Sequence, residues 1–147
     1  MTKKALLIID VQKSPAENSP LCAKIEKLQE EYEHIFVSKF INEKSPLIPL
    51  TGFSGYADES LCFTPAPNAV VFEKNIYSSF LPQMKAFDEI HLCGFDTDAC
   101  IYKTALDLIE NGVRPVILSA YCASETEAFH RAGMALLERN IGRQNIR

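Results

Sequence analysis

The sequence predicts an α/β fold: a parallel sheet of five to six strands with helices on both faces. Three observations carry this. Short, nearly continuous apolar runs such as ALLIID and EIHLCGF have strand length and no polar face, which suits strands buried on both sides. Between them lie segments whose apolar residues recur three and four apart, the spacing of a helix packed on a sheet. The two kinds alternate, and alternation means parallel strands joined by right-handed helical crossovers. At 147 residues the chain, 1–147, is read as a single domain with room for its own core.

The elements follow in order. ALLIID, from Ala5, is the first strand and ends at Asp10. Residues 13–19 (KSPAENS) form a turn, and a helix follows over about 20–32 with Leu21, Ile25 and Leu28 as its buried stripe. HIFVSKF is the second strand. Residues 41–68 have no clear period and are punctuated by Pro46, Pro49, Pro65, Pro67, Gly52 and Gly55; a short helix is expected near 58–61. So long an irregular stretch inside a compact domain is more often functional than idle. NAVVFEK is the third strand, ending at Lys74, and a helix over 79–86 leads to EIHLCGF, the fourth. The next helix starts at Cys100, has apolar residues at helical spacing at Ile101, Ala105, Leu108 and Ile109, and stops at Asn111 and Gly112. VRPVILSAY is the fifth strand. The last helix, SETEAFHRAGMALLERN, has Ser124 and Glu127 in capping-box spacing. IGRQNIR is expected as a short edge strand.

Composition narrows the function. A net charge of −4 without a Lys/Arg cluster argues against nucleic acid as a partner. No apolar run reaches membrane length, and the N-terminus lacks the form of a signal peptide. Five cysteines, at 22, 62, 93, 100 and 122, are odd in number and scattered. This suits free thiols in a cytoplasmic protein, with Cys22, Cys62, Cys93 and Cys122 serving packing. The partner is then a small-molecule substrate, and a homo-oligomer is compatible with the sequence.

In an open parallel sheet, sites lie outside the carboxyl ends of the strands where strand order reverses. Asp10 ends strand one, Lys74 ends strand three, and Cys100 lies just past strand four in the first turn of a helix. An acid, a cation and a thiol therefore share one rim. Asp10 can take the thiol proton and return it to a leaving group, and Lys74 can orient Asp10 and stabilise a thiolate. The backbone N–H groups of Ala99 and Cys100 at the helix start can form an oxyanion hole. With Lys74 and the helix start acting against Asp10 alone, the Cys100 thiol is expected to ionise below about 8.5. Other chemistries fit less well. A phosphatase loop would need Arg where Leu106 stands, a D-x-D phosphotransferase a second Asp at Gln12, and a nucleotide fold a glycine loop after strand one.

The segments LLIIDVQ, EKNIYSSF and GFDTDACIYKTALDLIENG together resemble the isochorismatase-like cysteine hydrolase family, over most of the chain from Ala5 to about Leu137. The resemblance implies a Rossmann-like sheet, the triad Asp10, Lys74 and Cys100, and a non-proline cis peptide at Phe95–Asp96. It also implies a hydrolase that cleaves an amide-type C–N bond through a Cys100 thioester, with no cofactor. The sequence departs from the family in three ways. The region between strands one and three is short. Lys13, Ser14 and Pro15 stand where Asp-Phe commonly follows the D-x-Q segment. Asp96 takes a place usually held by a small apolar residue. The Asp-x-His-x-x-His metal cluster of nicotinamidase-type members has no counterpart among His34, His91 and His130, so no metal is expected.

Phe53, Tyr56, Tyr77 and Phe80 come from segments near the rim and are expected to line a flat apolar pocket, together with Phe95 and Asp96. Two readings from other classes stand beside the hydrolase: a non-catalytic binding or assembly module on the same fold, and a redox-sensing thiol protein.

Overall fold

The computed structural model describes Met1–Arg147. Five parallel strands are present: β1 (Lys4–Ile9), β2 (Ile35–Phe40), β3 (Val70–Lys74), β4 (Glu89–Phe95) and β5 (Arg114–Ala123). Their order in the sheet is β3-β2-β1-β4-β5. The helices are α1 (Lys13–Ala16), α2 (Leu21–Leu28), α3 (Leu47–Thr51), α4 (Cys100–Glu110) and α5 (Glu127–Ile141).

β1 is central because it has no polar face to expose. Ala5, Leu6, Leu7, Ile8 and Ile9 are all fully buried, and alternate residues enter opposite layers. Ala5, Leu7 and Ile9 pack with Ile101, Ala105 and Leu108 of α4 and Leu137 and Ile141 of α5. Leu6 and Ile8 pack with Leu21, Ile25 and Leu28 of α2 and with Val37, Phe63 and Cys93. Each such leucine or isoleucine contributes about 1.5–3 kcal/mol relative to exposure, so the central strand anchors both layers. The chain moves outward from β1 to β2 and β3 on one flank, then returns to β4 on the other. The carboxyl ends of β1 and β4 therefore border the crevice where the order reverses.

Gly94 makes that neighbourhood close enough to serve a site. Its φ is +116°, and a Cβ there would lie 2.1 Å from the Ile9 carbonyl oxygen. β4 could not keep its spacing from β1 with a side chain at this place. Gly94→Ala should destabilise the protein by about 3 kcal/mol or more, read by urea unfolding. A loss under about 1 kcal/mol would mean that the strand pair adjusts without strain.

Several local expectations change. The segment near 58–61 is not helical. It runs beside the residues after β1, with Lys13 N donating to the Ser60 carbonyl (2.7 Å), Ser14 N to that of Asp58 (3.2 Å) and Cys62 N to that of Val11 (3.2 Å). The Asp58 carboxylate takes the Ser60 N–H at 2.9 Å, a local turn that competes with a helix. The helix in this region is instead α3, which starts after Pro46 and stops at Gly52, left-handed at φ 77°. Residues 13–16 hold one short helical turn with a cis Ser14–Pro15 bond. The helix expected over 79–86 is a 3-10 turn at Pro82–Ala86, because a residue before proline avoids helical angles and Leu81 is extended. Thr126, rather than Ser124, caps α5 by accepting from Phe129 N, while the Ser124 hydroxyl donates to Asp98. The C-terminal edge strand reduces to a 3-10 turn at Arg143–Asn145 and one bridge between Ile146 and Ile117.

Cys22 and Cys62 form a disulfide, which corrects the reading of them as free packing thiols. They lie 40 residues apart and meet only because the 58–62 segment folds back against the start of α2. With a disulfide present, the cysteine pattern does not mark a reducing cytoplasm. Cys93, Cys100 and Cys122 are free and buried. No helix is long and apolar enough to cross a membrane.

Candidate active site

Asp10 follows β1 with φ 52°, a left-handed conformation that is costly for a non-glycine residue and is usually held by its surroundings. Those surroundings are hydrogen bonds. Its N–H donates to the Ser38 carbonyl at 3.2 Å, and its Oδ1 accepts from Ser38 Oγ at 2.9 Å. Ser79 Oγ donates to Ser38 Oγ at 2.8 Å, and Ser79 N donates to Thr104 Oγ1 at 2.9 Å. One buried polar chain thus ties β1, β2, the segment after β3 and α4 to a single carboxylate oxygen.

The other oxygen, Oδ2, faces Lys74 Nζ at 3.0 Å. Lys74 directs its aligned hydrogen bond elsewhere, to the Tyr77 carbonyl at 2.6 Å, and Oδ2 accepts no aligned bond of its own. Oδ2 is therefore the carboxyl oxygen left without an aligned hydrogen bond, 3.0 Å from Lys74 Nζ. The Cys100 thiol is within hydrogen-bonding reach of both Asp10 and Lys74. Asp10, Lys74 and Cys100, drawn from three elements, meet at the carboxyl edge of the sheet as expected.

Their electrostatics differ from expectation. The Cys100 thiol is pushed up, not down: burial is the largest cause, the Asp10 carboxylate the next, and Lys74 only opposes them in part. Burial also pushes the Asp10 carboxyl up, against Lys74, Cys100 and Ser38, which favour its ionised form. The expectation of an acidic thiol weighed charges and omitted desolvation. At rest the site holds a desolvated thiol, disfavoured as a thiolate, beside the Asp10–Lys74 pair with its oxygen and nitrogen 3.0 Å apart.

The thiol opens into a cavity of about 170 Å³. Phe40, Phe53 and Tyr56 form one wall, their rings meeting at tilted and edge-on angles with centroids 5.2 to 5.8 Å apart. Leu47, Tyr77, Ala99 and Asp96 complete it with Cys100. Phe53, Tyr56, Tyr77 and Asp96 thus lie where the sequence put them, and two expected residues do not. Phe80 packs against the α4–α5 layer, and Phe95 is buried in the opposite layer among the contacts of β1 and α2. Side chains alternate along a strand, so Phe95 at the end of β4 points away from the rim that Asp96 reaches.

Phe40 and Leu47 were missed, as were the residues that place the aromatic wall. Gln12 Nε2 donates to the Phe40 (2.9 Å) and Glu59 (2.7 Å) carbonyls, and its Oε1 accepts from Phe40 N at 2.8 Å. Asn42 pairs with the Tyr56 backbone in both directions at 2.8 Å. The D-x-Q segment was the one available signal for Gln12; nothing in the sequence marked Asn42.

The turn before α4 also revises the oxyanion pair. The Ala99 N–H is committed to the Asp96 carbonyl at 3.1 Å, which also accepts from Ile101 N and passes over Cys100 N. The pocket-lining N–H groups of this turn without an internal partner are those of Asp96 and Cys100. The peptide bond Phe95–Asp96 is cis, as the resemblance implied. Asp96 itself is a half-buried carboxylic acid with its ionisation pushed up to about 7, first by burial and then by Asp98, Asp10 and Glu125. No three His, Cys, Asp or Glu side chains converge as a potential metal set; His91 is engaged by Tyr32 and Glu89, and His130 by Thr97.

Comparison with known proteins agrees with this architecture. The isochorismatase domain family model matches residues 4–144. Isochorismatase domain-containing protein 2 of Rattus norvegicus is 34% identical over 58 residues, 40% of this chain and 26% of that protein. An isochorismatase family protein, PncA, of Bacillus subtilis (strain 168) is 31% identical over 85 residues, 53% of this chain and 46% of that one. The matched segments thus span less than half the length of these curated relatives. Among solved structures, an isochorismatase-like hydrolase from Alkaliphilus metalliredigens superposes with a TM-score of 0.77 at 20% identity, covering 93% of this chain and 91% of that one. The nicotinamidase PncA of Bacillus subtilis does so with a TM-score of 0.73 at 22% identity, covering 95% and 97%. With nearly the whole length matched by the family model and the same sheet in both structures, the chain belongs to the isochorismatase domain family.

Proposed function

We propose that this protein is a cysteine hydrolase that cleaves the C–N bond of a small amide through Asp10, Lys74 and Cys100. The observation that carries the reading is the Asp10–Lys74 ion pair at 3.0 Å, placed with the Cys100 thiol at the mouth of an apolar cavity. A neutral, desolvated thiol needs its base at the moment of attack, and Asp10 Oδ2 is positioned to be that base.

Cys100 Sγ attacks the amide carbon as its proton passes to Asp10 Oδ2, and the carbonyl oxygen becomes an oxyanion held by the Asp96 and Cys100 N–H groups. Asp10 returns the proton to the amide nitrogen, the C–N bond breaks, and the amine or ammonia leaves a Cys100 thioester. Water then attacks the thioester, giving its proton to Asp10. The C–S bond breaks, and the proton returns to sulfur as the acid departs. Lys74 keeps Asp10 ionised between proton transfers.

The test is ammonia release from a panel of small aromatic amides, with mass spectrometry of the quenched enzyme. The expected result is turnover of at least one amide, an acyl adduct on the Cys100 peptide, and a loss of about 10³-fold or more in Cys100→Ala. Turnover that survives Cys100→Ala would sink the reading. So would the absence of turnover across the panel.

A further inference from the structure

Asp96 is the one charged residue among the eight that line the cavity beside Cys100; the other seven are hydrophobic. Its Oδ1 is buried and has no hydrogen-bond partner in the protein. A buried carboxyl oxygen left unpartnered costs stability, and a fold tolerates that where a ligand supplies the partner. The nearby Lys74 cannot supply it, being held by Asp10 and the Tyr77 carbonyl. The turn that carries Asp96 is fixed from both sides. Thr97 N donates to the Ala123 carbonyl at 3.0 Å, and Thr97 Oγ1 meets His130 Nδ1 at 2.7 Å. Gly133 of α5 lies so close that a Cβ there would fall 2.7 Å from Asp98 N. The carboxyl is thus presented to the cavity by a rigid support.

The cavity also limits the size of what enters. At about 170 Å³ it is close to the engineered cavity of about 150 Å³ that takes benzene, so it holds one ring. Its aromatic wall favours a flat ring and tolerates a cation near the ring faces. Resting on the amide-hydrolase reading above, we infer that Asp96 is the specificity-determining group of the pocket and that it selects a single-ring amide bearing a cationic nitrogen, which its carboxylate binds. Entry of the cation also removes the reason for the carboxyl to hold a proton. In the free pocket Asp96 ionises only near about 7, with Asp98, Asp10 and Glu125 as the charged groups that raise it; Cys100, Tyr56 and Tyr77 also face the cavity.

The probes are the ortho, meta and para isomers of aminomethylbenzamide, each matched to the ethylbenzamide of the same shape. Binding is measured by calorimetry on Cys100→Ser, so that no turnover enters the readout. At about pH 8 at least one aminomethyl isomer should bind about tenfold or more tighter than its ethyl twin, since a charge-assisted hydrogen bond replaces an apolar contact. Adding Asp96→Asn should cut that preference, read as the ratio of the two affinities within the same variant, to about threefold or less. Lowering the pH to about 5.5 should do the same to Cys100→Ser alone, because the alkylamine stays charged there and Asp96 does not. No isomer preferring the cation, a preference that survives both Asp96→Asn and low pH, or no binding of any probe would each overturn the inference. The parent reading fails separately: a protein that binds the cation through Asp96 but hydrolyses no amide keeps this inference and loses the hydrolase. One that hydrolyses neutral and cationic amides alike keeps the hydrolase and loses this inference.

Discussion

Asp10→Asn should lower kcat/KM for amide hydrolysis by about 10³- to 10⁴-fold while making Cys100 easier to alkylate, and the two effects arise from the same carboxylate. Hydrolysis needs Oδ2 to accept the thiol proton and return it to the leaving nitrogen, which an amide side chain cannot do. The resting thiol, however, is held neutral partly by the Asp10 charge, after burial itself. Removing that charge leaves Lys74 without its ion-pair partner at 3.0 Å, and the thiolate becomes its natural counter-ion. Iodoacetamide labelling at about pH 8, mapped by peptide, should therefore be faster at Cys100 in Asp10→Asn than in the unsubstituted protein. Lys74→Met should move the labelling rate the other way and also lose activity. Cys93 and Cys122 provide internal controls, since burial pushes both thiols up and neither touches the pair. If both substitutions shift Cys100 labelling in one direction, the Asp10–Lys74 pair does not govern the thiol, and a general-base role for Asp10 loses its support.

The meeting of Asp10, Lys74 and Cys100 was legible because each ends or begins an element whose type the sequence declares. ALLIID reads as a buried strand, so Asp10 falls at its carboxyl end; the same logic places Lys74 at the end of NAVVFEK and Cys100 after EIHLCGF. A parallel sheet then brings all three to one rim whatever the loops do. The pocket wall has no such guarantee. Whether Leu47, Phe53 and Tyr56 face the thiol depends on the path of residues 41–62, and that path is tied down by Gln12 and Asn42 bonding to distant backbone groups. Such side-chain-to-backbone ties have no period. The Cys22–Cys62 disulfide was hidden for the same reason, because it follows the course of that loop. The thiol was misjudged for another reason: charge types can be counted in a sequence, but the depth at which Cys100 sits cannot, and desolvation is the larger effect.

Asp96→Asn should stabilise the protein above neutral pH and leave it nearly unchanged below about pH 4. The Asp96 carboxyl ionises near about 7 when folded and near about 3.9 when unfolded. Between those values the folded state holds a proton that the unfolded state has released, so stability falls as pH rises from about 4 to about 7 and the loss persists above that. A difference of about three pH units corresponds to roughly 4 kcal/mol, and the partial exposure of the side chain reduces it to about 2–3 kcal/mol. Asparagine keeps the shape without the titration, so at about pH 8 the variant should melt about 5 to 10 °C higher, while at about pH 3.5, below both values, the two proteins should melt together. Asp10 also titrates, but it is common to both proteins and drops out of the difference. Thermal unfolding at several pH values between these limits gives the test directly. Parallel curves across the range would mean that Asp96 ionises normally and that its unpartnered oxygen finds a partner within the protein. A gap that opens between about pH 4 and about pH 7 and then holds would mean that the fold sustains a carboxyl at a cost of its own stability, as expected of a group whose partner arrives with a ligand.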